Sequence, residues 1–453
     1  MKIQPNTFSL RDYLGKTFEC DCGHTHSTQL KDAVICAGAL QQVPALVQHY
    51  GYRKPLLVCD DPTWEAAGEK LAQILTAAGT AFDTFTFHTD DLVPDEQALG
   101  ALMMHVTPDV DLLIAVGTGT LNDLCKYASF VTRREYFIVA TAPSMDGFAS
   151  IGAPLICENL KTTFDAHTPQ VIVGDTDVLS AAPMDMINAG LGDILGKYTC
   201  LIDWKMANLI DGEYYCPTIV QMVQCSIDRV LANRAGVANR DPEAVQNIME
   251  ALVLTGIAMS FVGNSRPASG SEHHLSHYWE MRFLFAGRTP VLHGRKVAAG
   301  TTVVSHMYHK LAATKVDFEA ARAKAAQFDC AAWTKQMEEC YQKAAPGVIA
   351  LEQKVGKNQP ASCIAQINSM ERNWAEICKV IDEELPSEDA IATILKDLGA
   401  PSDPSQLGVE RDLMESGIRV AKEVRNRFTI LQILFDLGLL EEFAAEAAAH
   451  FYS

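Results

Sequence analysis

The chain has 453 residues, 37 of them basic and 56 acidic, for a formal charge of −19. That length implies two or three domains at roughly 100–250 residues each. Apolar residues make up 48% and charged residues 21%, ordinary globular usage that excludes disorder as the main state. The charge excludes nucleic acid and anionic membrane surfaces as partners, because both demand a basic footprint. A small anionic ligand held by a local pocket is compatible with it.

Residues 1–5 (MKIQP) lack a basic stretch leading into an apolar one. The longest apolar run, residues 251–262, is interrupted by Thr255, Gly256 and Ser260 and falls short of the ~18 residues a membrane span needs. Thirteen cysteines run from Cys20 to Cys378 with little framework spacing. These features predict a reduced, cytoplasmic protein without membrane insertion.

In chain order, the first chemistry-capable cluster is Cys20-Asp-Cys22-Gly-His24-Thr-His26. Its spacing matches none of the usual zinc-finger patterns, so a hairpin turn is the expectation and zinc the alternative. Strand-like runs follow at 55–60 (PLLVCD), 82–88, 111–116 (DLLIAV) and 136–141 (YFIVAT), with helical spacing over 62–79, 96–106 and 121–130. This alternation predicts a parallel sheet with right-handed crossovers. Short β-rich pieces are expected at 154–157, 161–164 and 171–174. Beyond Asp177 the pattern is helical almost throughout. The expectation is an α/β dinucleotide-binding domain with a Rossmann-like parallel sheet over residues 1–178, then an all-α metal- and substrate-binding domain over 179–453. The Ala-, Lys- and Glu-rich stretch from 309 to 397 reads as a peripheral layer.

Residues 116–123 (VGTGTLND) lie between a strand and a helix. Gly117 and Gly119 allow positive φ and close approach of a phosphate, and the helix N-terminus that follows suits a pyrophosphate. Asp60 ends an earlier strand, where its carboxylate could accept a bond from the adenosine ribose and disfavour the 2′-phosphate of NADP; NAD is favoured. Residues 141–150 (TAPSMDGFAS) place Thr141, Ser144 and Asp146 beyond a strand end, where ligands of open sheets bind; the same composition also makes a plain connecting loop.

Four of thirteen histidines fall close together: His273, His274 and His277, then His293. His273 and His277 share a helix face, and imidazole is the commonest ligand for divalent transition metals. A third ligand is expected to be a carboxylate, with Asp193 in GLGDILGKYT the candidate and one histidine left either to orient a ligand from behind or to contact substrate. Lys197 and Arg266 bracket these residues as the local cations a phosphorylated substrate requires.

Taken together, VGTGTLNDLCKY, TAPSMDGFAS, GLGDILGKYTCLIDWKMA, SRPASGSEHHLSHYWE, LHGRKVAAG and KEVRNRFTILQILFDLG resemble the sn-glycerol-1-phosphate dehydrogenase family, within the superfamily of metal-dependent polyol dehydrogenases and dehydroquinate synthase. The resemblance runs from about Ile35 to Gly438. It implies metal ligation by Asp193, His273 and His293, with His274 a bystander and Asp146 and His277 as substrate contacts. Dinucleotide binding falls on Gly119, Thr120, Leu121, Asn122 and Asp123, on Thr141, Ala142, Pro143 and Ser144, and on Ser150. Arg266 has the offset of a phosphate-binding arginine in dehydroquinate synthase. The implied reaction is hydride transfer between sn-glycerol 1-phosphate and dihydroxyacetone phosphate with NAD or NADP. The implied metal is one divalent ion such as Zn²⁺, Ni²⁺ or Fe²⁺, with His277 as a proton relay and a homodimer as the assembly. Competing readings are a dehydroquinate synthase-like sugar-phosphate cyclase, whose first metal ligand is a glutamate; a glycerol dehydrogenase acting on unphosphorylated polyol; and a non-catalytic metabolite binder.

Overall fold

The computed structural model describes residues 9–89, 91–157 and 160–453; the reading of residues 1–5 lies outside them. The chain forms two compact units, Met1–Ile194 with Pro217–Ser265, and Leu195–Cys216 with Arg266–Ser453.

The first unit is built on a six-stranded sheet ordered Asp32–Cys36, Val171–Asp175, Glu135–Ala140, Leu112–Gly117, Pro55–Asp60, Asp83–Phe87. Every neighbouring pair is parallel, as the strand–helix alternation predicts. The central strands are buried along their whole length, which explains their unbroken apolar runs. Gly117 pairs with Ala140, so the glycine loop and the TAPSMDGFAS segment leave the sheet side by side at its C-terminal edge. Pieces 154–157 and 161–164 fall in an antiparallel hairpin, Gly152–Cys157 with Leu160–Asp165. The piece at 171–174 instead belongs to the main sheet, seated between strands Asp32–Cys36 and Glu135–Ala140.

A domain boundary at residue 178 is not where the compact units divide. Residues 179–194 and 217–265 go with the sheet, because helix Pro242–Val262 packs on helix Thr176–Ala181 and on the turn Asp146–Ala149. That helix also corrects the reading of the apolar run 251–262. It has 21 residues, with an 18-residue stretch at mean hydropathy 1.5, long and apolar enough to cross a membrane, yet 78% of that stretch is buried in the structure. A helix apolar all round is what a core position requires.

The second unit is helical, around a core that includes Trp279, Met307, Tyr308, Ile367, Ile418 and Leu431. The stretch after His309 is not peripheral: Trp333, Met337, Tyr341, Ile367 and Ile377 belong to this core.

Candidate active site

In the first unit, strand Leu112–Gly117 runs into helix Gly119–Thr132, the context a phosphate-binding loop needs. Neither Gly117 nor Gly119 takes a positive φ. What Gly117 provides is room: a Cβ there would lie 2.4 Å from Cδ1 of Leu121. Thr141 N–H donates to the Gly117 carbonyl at 3.1 Å, tying the two loops together.

Behind them sits a buried ion pair that the sequence reading did not single out. Lys126 Nζ donates to the carbonyls of Gly147 (2.8 Å) and Gly152 (3.1 Å) and to Ser150 Oγ (2.9 Å), and lies 3.8 Å from Asp123. Burial pushes the Asp123 carboxyl up to about 6 and the Lys126 ammonium down to about 8. Asn122 is also buried, with its amide 3.1 Å from Asp123 Oδ1. Asp123, Asn122 and Ser150 therefore shape the loop from behind. Thr120 and Ala142 lie on the same edge. Asp60 caps its own turn, its Oδ1 accepting from the Thr63 N–H at 2.9 Å and hydroxyl at 2.6 Å.

Asp193 lies on helix Met184–Leu195 and is fully buried. Its Oδ2 accepts the Asp146 N–H at 2.9 Å. The helix reaches the TAPSMDGFAS loop through Gly190, where a Cβ would stand 1.8 Å from the Pro143 carbonyl oxygen. Asp146 and Ser144 are buried as well.

In the second unit, helix Ser271–Phe285 carries His273 and His277, and His293 opens helix His293–Ala313. The ring centroids are 5.1 Å apart for His273 and His293, 5.5 Å for His277 and His293, and 6.1 Å for His273 and His277. His273 Nδ1 faces Glu272 Oε1 at 2.6 Å. Glu272 is fully buried, and it also accepts the Gly270 N–H at 2.7 Å and the Thr199 hydroxyl at 2.7 Å. Burial works to raise its pKa, but these bonds, led by His273, hold it below the usual range. An ionised Glu272 places the His273 proton on Nδ1 and leaves Nε2 as a lone-pair donor, the second-sphere arrangement of a metal-binding histidine. These side chains fit a divalent transition metal. His274 is fully buried, and burial together with Arg427 and Arg425 keeps it neutral, in keeping with a bystander. His277 lies 3.7 Å from Glu280.

The cations differ from expectation in their partners. Arg266 is 2% exposed and grips both oxygens of Glu213, with its NH1 donating to the Phe428 carbonyl at 3.0 Å. One edge of its guanidinium is thus committed, and Arg266 does not offer the free fork a phosphate takes. Lys197 is buried, with Nζ donating to the Ala268 carbonyl at 3.1 Å. Arg427 donates to the Ser269 carbonyl at 2.8 Å. Burial, reinforced by Arg425 and Arg266, pushes Arg427 down to about 9. Arg425 and Arg427, which lie between the turn Ala421–Glu423 and helix Ile430–Asp436, were missed in sequence because two nearby charges read as surface.

A family model described as iron-containing alcohol dehydrogenase matches residues 34–183, the region of the sheet and its glycine loop. The glycerol-1-phosphate dehydrogenase [NAD(P)+] of Geobacillus stearothermophilus is 32% identical over 96% of this chain and 99% of its own. The protein of that name from Geobacillus thermodenitrificans is 32% identical over 93% and 96%. The chain belongs to the glycerol-1-phosphate dehydrogenase family. A solved structure, a probable glycerol dehydrogenase from Sinorhizobium meliloti, superposes with TM-score 0.61 at 16% identity, covering 93% of this chain and 98% of its own, which shows the shared fold. Membership of the glycerol-1-phosphate dehydrogenase family makes the chain an oxidoreductase that uses NAD(P) and a metal.

Proposed function

We propose that the protein interconverts sn-glycerol 1-phosphate and dihydroxyacetone phosphate with NAD(P), NAD being favoured, and that Asp193, His273 and His293 hold its divalent metal, Zn²⁺ or Ni²⁺. The observation that carries this reading is the bond between Glu272 and His273, which orients one imidazole for ligation among three gathered rings. When bound, the metal would supply Lewis acidity toward the substrate's oxygen and the nicotinamide would supply or accept the hydride.

The chain's own residues do the rest. Lys126 and Asp123 hold the loop against which the dinucleotide lies, with Gly117, Gly119, Thr120, Leu121, Asn122, Thr141, Ala142, Pro143, Ser144 and Ser150 as its contacts and Asp60 at the ribose. Asp146 and His277 contact the substrate, and His277 exchanges the hydroxyl proton with solvent. Because Arg266 is paired with Glu213, the phosphate in this reading falls to Arg425 and Arg427, with Lys197 holding the loop at Ala268 and Arg266 joining Glu213 to the Phe428 carbonyl. The same reading makes the protein a cytoplasmic homodimer, which sedimentation and cell fractionation check.

The test is NADH oxidation with dihydroxyacetone phosphate by chelated protein, before and after each divalent metal is restored, with chiral analysis of the product. Metal-dependent formation of sn-glycerol 1-phosphate is expected. Turnover of glycerol but not its phosphate would favour the unphosphorylated-polyol reading. No turnover by folded, NAD-binding protein would move the cyclase forward.

A further inference from the structure

The segment around Cys20 folds as a hairpin, Thr17–Glu19 paired antiparallel with Thr25–Ser27. Its turn is tight: Gly23, at φ 84, donates its N–H to the Cys20 carbonyl at 2.9 Å, and Cys20 N–H donates to the His24 carbonyl at 3.1 Å. Positive φ at Gly23 folds Cys22 back beside the paired strands. The hairpin is fastened to the end of helix Pro242–Val262 by Phe18, edge-on to Phe261 with centroids 5.3 Å apart.

His26 is 1% exposed, and its Nδ1 lies 2.7 Å from the Phe261 carbonyl oxygen. A carbonyl only accepts, so Nδ1 carries the proton and Nε2 presents its lone pair. That lone pair faces Cys22 Sγ at 3.4 Å. Cys20, Cys22 and His26 bring their ligand atoms within 4.8 Å of one another, and both cysteines are thiols, partly exposed. For Zn–S and Zn–N bonds of ~2.3 and ~2.05 Å at tetrahedral angles, sulfur and nitrogen stand ~3.5 Å apart. A histidine with Nδ1 on a backbone carbonyl and Nε2 toward two thiols has the orientation of a zinc ligand.

We propose that Cys20, Cys22 and His26 bind a thiophilic divalent cation, zinc by class, that staples the turn of this hairpin to its second strand. Binding releases the two thiol protons and leaves the sulfurs as thiolates. The site shares no residue with Asp193, His273 and His293, so the protein takes up a second metal unconnected with turnover.

The experiment is cobalt substitution of the full-length protein, wild type and C20S/C22S, followed by absorption spectroscopy and by activity toward dihydroxyacetone phosphate. The wild type is expected to show a thiolate-to-cobalt charge-transfer band that C20S/C22S lacks, with NADH oxidation retained. No such band in wild type, or one unchanged in C20S/C22S, overturns the proposal. Loss of turnover with the band intact would strike at the dehydrogenase reading instead. Should C20S/C22S not fold, alkylation of wild type decides: zinc is expected to slow labelling of Cys20 and Cys22 about tenfold or more. Equal labelling rates with and without zinc overturn the proposal.

Discussion

Glu272 lies 2.6 Å from the ring of its neighbour His273, with its other oxygen taken by Thr199. Adjacent helix residues do not ordinarily face each other; these do because both are buried where the first turn of helix Ser271–Phe285 begins. If His273 ligates the metal, the carboxylate sets which nitrogen is available. Glu272→Gln is therefore expected to weaken metal affinity about 10–100-fold. A competition titration with a chromophoric chelator measures it, and unchanged affinity would dismiss Glu272 from this role.

Gly190 is where helix Met184–Leu195 meets the loop that carries Pro143 and Asp146. A methyl group there would overlap a carbonyl oxygen at 1.8 Å, and backbone cannot turn aside as a side chain can. Gly190→Ala is expected to destabilise by about 1–3 kcal/mol through overpacking. It should also part Asp193 from the Asp146 N–H. Urea denaturation and kcat read the two effects, and wild-type values for both would refute the argument.

Much of this arrangement is legible in sequence, and its gaps have physical causes. Strands such as Leu112–Gly117 announce themselves because both faces are covered and the apolar run is continuous. Asp32–Cys36 does not: it is an edge strand with one buried residue. Val171–Asp175 reads as a strand, but its seat in the middle of the sheet depends on pairing with distant segments. The histidines stand out by spacing alone. Glu272 is misleading because a lone charge reads as surface until its partner is known, and Arg266 because a cation beside the histidines reads as a phosphate ligand until Glu213 is found; Thr199 and Glu213 lie 73 and 53 residues away. Division of the helices between units is equally hidden, since helical periodicity says which face is buried but not against what.

Lys126 gathers two carbonyls and a hydroxyl of the 147–152 loop while neutralising Asp123. Lys126→Met removes the cation and leaves a buried carboxylate uncompensated, a change that costs about 3–5 kcal/mol. The KM for NADH is expected to rise, with metal affinity unaltered. Equilibrium unfolding and steady-state kinetics check this; an unchanged KM would free the loop from Lys126.

Arg427 is held down to about 9 by burial and by the neighbouring Arg425 and Arg266. A bound dianion would relieve that repulsion, so inorganic phosphate is expected to raise the melting temperature of wild type. Arg427→Lys should weaken this protection and raise the KM for dihydroxyacetone phosphate about tenfold, because lysine loses the bidentate fork. Equal effects on glycerol oxidation would show that Arg427 does not read the phosphate.

Asp436 supplies a pH dependence remote from the site. Its side chain is buried, with Gln432 Nε2 donating to Oδ1 at 2.8 Å. Burial pushes its carboxyl from 3.8 up to about 7, against the opposing pull of Gln432, Cys363 and Lys422. The native state therefore holds a proton that the unfolded chain has given up. Stability falls as pH rises from the unfolded value through about 7, where the folded carboxyl finally ionises. Asp436→Asn removes this loss. Its stability relative to wild type should grow by on the order of 2 kcal/mol between about pH 5 and about pH 8, read from urea midpoints at each pH. Parallel pH profiles for the two proteins would mean that Asp436 ionises in the folded state as it does in the unfolded one.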